Sequence, residues 1–179
     1  MIEPIQIPDA TMEPAAYVRA LVATLGDREP LEVLRHTPTA VRAMCAGLTD
    51  AQWGTPMAEG EWTALQVVGH LLDVEVVYGF RWRLLLTEDR PAYPGYDEKR
   101  WSLLPRPAPS QLLAALAGLR AVNLALLEGV DDAAAGRSGV HGEQGEERFE
   151  LTVRKVAGHD LAHRNQLART VAAATVAHE

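Results

Sequence analysis

Hydrophobic residues recur along this chain at helical spacing. Between residues 11 and 25, Tyr17, Val18, Leu21, Val22 and Leu25 share one stripe, the three-to-four-residue period of a helix with one buried face. Thr11 is the expected cap, and Gly26 with Asp27 the stop. A second helix is expected from Pro30, whose fixed φ suits a first turn, to Gly47. Pro38 inside it removes a backbone hydrogen bond at a cost of about 3 kcal/mol, so a kink or a break is expected there. Thr49 with Gln52 and Thr63 with Gln66 read as capping boxes. The first opens one short turn. The second opens a long helix to about Leu86, on which Val67, His70, Val74, Val77 and Arg81 share a face. Ser110 is expected to cap a further helix that ends at Gly129, and Thr152 the last one, which runs to about Ala174.

The connections differ in kind. Residues 87–109 hold five of the eleven prolines together with Tyr93, Tyr96 and Trp101. A segment this long inside a domain is functional or disordered, and its aromatic residues favour an ordered lid. Residues 137–150 carry Gly139, Gly142 and Gly145 and predict a loop or small hairpin. Residues 1–10, with Pro4 and Pro8, predict an extended arm. The sum is one all-α domain over residues 1–179, without an internal repeat.

Charge removes some partners. The formal net charge is −7, the only lysines are Lys99 and Lys155, and no basic cluster is present, so a nucleic-acid backbone is not an expected partner. The amino terminus lacks a basic and apolar leader, and the apolar runs read as broken by charge before about 18 residues, so neither export nor a membrane span is expected. Cys45 is the single cysteine and sits in the apolar run VRAMCAGL. That fits a buried, inert thiol and a reducing cytoplasm.

The chemistry concentrates in VAGHDLAHRNQL, residues 156–167. His159 and His163 stand four apart on a helix, so both rings face one way and can reach one ion. His70, an ionisable ring on an apolar face, is the candidate third ligand. Three histidines with an open position are what a catalytic first-row cation needs; the bland alternative is a chance pair on a surface helix. His36 and His178 read as surface residues, and His141 as either a pocket-rim group or a solvated one. Asp73 and Asp160 are candidates to orient the ligands, with a solvated surface charge the first reading for Asp160. Asp73, Glu75 and Asp160 are the carboxylates available as a base. Arg81 could hold an anionic group of the substrate or snorkel to solvent. Trp62 and Trp101 could line a pocket or fill the core. No HExxH motif and no glycine-rich phosphate loop is present.

The runs EGEWTALQVVGHLLDVE, LTEDRPAYPGYDEKRW, the turn at residues 141–145 and AGHDLAHRNQL together resemble the DinB/YfiT-like superfamily over residues 30–170, with the first helix outside the match. The resemblance implies a four-helix bundle with an extra N-terminal helix and a small hairpin or loop before the last helix. It also implies a divalent metal on His70, His159 and His163, with zinc the first candidate and nickel the second. Members of the family include bacillithiol transferases and mycothiol-dependent maleylpyruvate isomerase, which use a low-molecular-weight thiol. Related sequences often carry further histidines around the pair, where this chain has Asp160 and Arg164. The expected function is thiol S-transfer to an electrophile, with Arg81, Asp73 and His141 as catalytic candidates and Arg81, Trp62 and Trp101 as cofactor-binding ones. A metal-dependent hydrolase and a non-catalytic metal-binding stress protein are the alternatives. A cytoplasmic homodimer acting on a small molecule is expected.

Overall fold

A computed structural model describes residues 2–178; Met1 of the expected arm lies outside them. The helices are α1 (Pro14–Leu25), α2 (Pro30–Met44), α3 (Asp50–Trp53), α4 (Ala64–Thr87), α5 (Glu98–Trp101), α6 (Pro109–Glu128), α7 (Asp132–Ala135) and α8 (Phe149–Val176), with strands β1 (Ala92–Tyr93), β2 (Ser138–His141) and β3 (Gly145–Arg148). The four long helices α2, α6, α4 and α8 close a ring, each packed on the next, and α1 lies against α8 from outside. Gly158 permits that contact. A Cβ at this position would overlap the Leu21 carbonyl of α1.

The hairpin expected before the last helix is β2–β3, and β1 from the proline-rich segment adds a parallel third strand that periodicity did not announce. Both capping boxes form as expected, at Thr49–Gln52 and Thr63–Gln66. Other caps differ. Helix α1 starts at Pro14 after Glu13, because Asp9 accepts the backbone N–H groups of Thr11 and Met12 and holds a turn ahead of the helix. Helix α6 starts at Pro109, so Ser110 is already inside it. Helix α8 starts at Phe149, and Thr152 is a buried interior residue whose hydroxyl accepts the Trp82 indole N–H at 2.9 Å.

Pro38 does not break α2, which runs through to Met44 with Cys45 as its C-terminal cap, short of Gly47. The carbonyl that Pro38 leaves without an intrahelical donor is Leu34 O, four residues back. Arg120 of α6 donates to it at 2.7 Å. The same guanidinium meets Glu75 of α4 and Asp160 of α8, each at 2.7 Å. Asp160 is fully buried, so its reading as a solvated charge is corrected: the middle of α8 is enclosed by α1, α2 and α4 and has no solvent face. Cys45 is buried, and burial pushes its thiol up to about 12, which fits the inert reading.

The apolar face of α6 exceeds expectation. By length and composition alone, with a mean hydropathy of 1.5 over 18 residues, the helix is apolar enough to cross a membrane, although charge interrupts the run as expected. The only charge within that window's interior is Arg120, which is ion-paired in the bundle.

Candidate metal centre

His70 projects from α4 toward α8, where His159 and His163 occupy consecutive turns. The ligand nitrogens of the three rings lie within 4.8 Å of one another, and the Nε2 atoms of His70 and His159 are 2.9 Å apart. Nitrogens bound to one ion at about 2.0–2.1 Å stand roughly 3.0–3.4 Å from each other. The His70–His159 pair is close to that spacing, and His163 stands within 4.8 Å of both. The Nδ1 atoms of His70 and His159 are sealed from solvent without a hydrogen-bond partner among the described residues. These atoms lie on the other side of each ring from the facing Nε2 pair, and it is the Nε2 atoms that would offer lone pairs to a cation.

His163 is oriented from its own helix. Its Nδ1 donates to Gln166 Oε1 at 2.7 Å, the tautomer that leaves Nε2 bare for the centre. Burial pulls the pKa of all three rings down, and the neighbouring rings add to this for His70 and His159. They are neutral at physiological pH, the form in which imidazole binds a metal.

A pocket of about 240 Å³ opens over the rings, lined by Gly60, Glu61, Trp62, Glu98, His163 and Gln166. The Trp62 ring stacks on His163 at 6.1 Å and tilts against His70 at 4.9 Å. Glu98 Oε2 lies 3.9 Å from His70 Nε2. It begins α5, whose cap Asp97 accepts the Arg100 N–H at 2.9 Å. Burial raises the Glu98 pKa against the pull of Lys99. The lid that carries Glu98 is pinned by Arg106, which donates to both Asp73 oxygens at 2.8 and 2.5 Å and to the Trp101 carbonyl at 3.0 Å. Gly69 leaves room for this pin, because a Cβ there would stand 2.6 Å from Arg106 Nε.

The structure thus brings His70, His159, His163 and Trp62 together, and places the other candidates elsewhere. Asp73 is held by Arg106 and Glu75 by Arg120 and Asn123, which engages both carboxylates in ion pairs instead of leaving them as bases at the centre. Trp101 packs on Tyr96 and borders a separate surface pocket. Arg81 stands farther along α4 against Tyr78 and Tyr93. His141 is buried in the hairpin, where its Nδ1 accepts the N–H groups of Glu143 and Gln144. His36 and His178 are exposed. Two groups at the centre were absent from the sequence reading. Gln166 was detectable by its three-residue spacing from His163. Glu98 had no periodic signal, since a proline-rich segment delivers it.

A sequence model of the DinB superfamily matches residues 33–167. A Geobacillus thermodenitrificans protein named "putative metal-dependent hydrolase" is 39% identical over 101 residues, 56% of this chain; the chain spans about half, 54%, of that relative's length. A Geobacillus kaustophilus protein of the same description is 33% identical over 175 residues, covering 93% of this chain and 94% of its own. A Bacillus subtilis relative, YfiT, is 34% identical over 149 residues, covering 78% of this chain and 82% of its own. The solved structure of Bacillus subtilis YfiT, described as "a probable metal-dependent hydrolase with an unusual four-helix bundle topology", superposes with a TM-score of 0.74 at 32% identity over 79% of this chain and 83% of that one.

Proposed function

The chain belongs to the DinB superfamily, and on that premise we propose a divalent-metal-dependent enzyme that activates a small nucleophile at His70, His159 and His163. The observation that carries this reading is three neutral imidazoles, two buried and one half-buried at the pocket floor, converging beside a carboxylate. A divalent cation bound there, zinc first and nickel second, supplies Lewis acidity that lowers the pKa of a coordinated thiol or water. Glu98 takes the proton that the nucleophile releases, and burial, which raises its pKa, makes it a stronger proton acceptor than an exposed carboxylate. Gln166 fixes the His163 tautomer, and Trp62 walls the pocket.

The finer reading is thiol S-transfer. The sulfur of a low-molecular-weight thiol forms a bond to an electrophilic carbon, a halide departs or an epoxide oxygen opens, and the thiol proton passes to Glu98. Its support is the family resemblance, together with the lack of a usable protein thiol: Cys45 is buried and lies outside the pocket. Hydrolysis is the second reading. It is favoured by Glu98, since water needs a base more than a thiol does, and by the names of the relatives.

Metal-loaded, tag-free protein assayed with bacillithiol, mycothiol and glutathione against a model electrophile, and without thiol against an ester, separates these readings. Metal-dependent turnover with one thiol, lost in Glu98→Gln, is expected. Ester cleavage without thiol makes the protein a hydrolase, and retained metal with no turnover makes it a non-catalytic binder. The exposed Val76 and Phe80 of α4 and Val122 of α6 offer an apolar face for the expected homodimer, which sedimentation tests.

A further inference from the structure

Buried cations in this bundle are paired, with one exception. Arg120, Lys155 and Arg81 are 2%, 1% and 3% exposed. Arg120 meets Glu75 and Asp160, and Lys155 meets Glu147. Arg81 has no carboxylate within 4.0 Å among the described residues. Its guanidinium donates to the Pro94 carbonyl at 2.7 Å and lies over the rings of Tyr78 and Tyr93, 5.0 and 5.2 Å from their centroids. An aromatic face attracts a cation but supplies no counter-charge, and one carbonyl satisfies one of five N–H donors. Burying a charge without a partner is costly, so a fold that keeps Arg81 this way leaves it available to an anion.

Its position ties it to the metal centre. Arg81 follows His70 by eleven residues on α4, an axial rise of about 16 Å, and helical side chains lean back toward the N-terminus, here toward His70. Between them stands Tyr78, which has Arg81 on one contact and Lys155, one turn before His159, on another at 5.4 Å. The hydroxyls of Tyr17 from α1 and Tyr96 from the lid lie within electrostatic range of both Arg81 and Glu98. Tyr17 and Tyr96 thus feel both the guanidinium and the Glu98 carboxylate, and Tyr78 touches Arg81 on the helix that carries His70.

We propose that Arg81 recognises a carboxylate at the end of the substrate remote from the metal centre. The assignment rests on the functional reading above, in which the reacting end sits at the histidines. A carboxylate group, planar and singly charged, matches the guanidinium fork and its one unbalanced charge.

The test is calorimetric titration of full-length, zinc-loaded protein with succinate and with neutral succinamide, repeated after metal removal and for Arg81→Gln and Arg81→Lys. Succinate is expected to bind and succinamide not to. Binding should survive metal removal, and Arg81→Gln should weaken it at least tenfold with zinc content unchanged. Arg81→Lys keeps the charge in the fold and should fall between, which preserves the test if the glutamine variant does not fold. Absence of succinate binding, equal binding by Arg81→Gln, or binding that disappears with the metal overturns the assignment. Succinate bound through Arg81 without any turnover keeps this site and removes the reaction. Turnover with failed succinate binding does the reverse.

Discussion

His159 and Asp160 are consecutive on α8 and both are buried, yet they belong to clusters built on opposite principles. At Asp160 each charge meets its opposite: Arg120 stands 2.7 Å from Asp160 and 2.7 Å from Glu75, and its remaining reach satisfies the carbonyl that Pro38 frees. At His159 three neutral rings of one kind face each other, with two nitrogens lacking any acceptor. Matched charges tie four helices together, even though Arg120 Nε and Asp160 Oδ1 have no hydrogen-bond partner among the described residues. Unmatched lone pairs contribute little to the fold and leave a great deal for a ligand. Buried polar groups in this protein thus divide by whether their partners are already present, and Arg81 falls with the histidines.

Breaking the matched cluster should have the largest effect. Arg120→Ala leaves two buried carboxylates without a counter-charge, and Asp160→Ala leaves Arg120 with one partner fewer; removing one member of a buried pair costs roughly 3–5 kcal/mol. Urea unfolding is expected to show a loss of this size for Arg120→Ala. A loss below about 1 kcal/mol would mean that the cluster does not hold the bundle.

The unmatched cluster should respond in the opposite sense. His163→Ala is expected to abolish metal retention, measured by elemental analysis, while the metal-free variant unfolds within about 1 kcal/mol of metal-free wild type, because the ring is half-buried and its hydrogen-bond partner Gln166 lies on the same helix. With metal present at about 1,000 times its dissociation constant, wild type should gain about 4 kcal/mol that the variant lacks. A variant that keeps stoichiometric metal would sink the three-histidine centre.

The same distinction explains what could be read in the sequence. Helical periodicity and the Thr63–Gln66 box are local, so the length and face of α4 were legible, and with them the position of His70. The i, i+4 spacing of His159 and His163 is equally local. The burial of Asp160 is not legible because it comes from Arg120 of α6 together with Glu75 of α4 and Leu34 of α2, segments far apart in sequence. Glu98 was missed because its approach to His70 is set by a lid pinned through Arg106 and Asp73, and no period encodes a tertiary pin. A kink or a break is the expectation at Pro38 because its compensating donor, Arg120, lies on another helix.

His141 offers the smallest and most selective test, because it is a buried histidine whose partners are present. Its Nδ1 accepts two backbone N–H groups, and burial, with Arg81 adding, lowers its pKa to about 4. The unfolded chain holds this ring near its ordinary value of about 6.5. Between those values the unfolded state binds the extra proton, so the contribution of His141 is complete above about pH 6.5 and is lost as pH falls toward 4. His141→Gln keeps a side-chain acceptor for the hairpin and removes the titration. Its unfolding free energy should therefore decline less steeply between pH 6.5 and 4 than that of wild type. The metal-ligand histidines titrate in the same direction in both proteins, so the difference between the two curves isolates His141. Parallel curves would show that the ring is not held neutral by the hairpin.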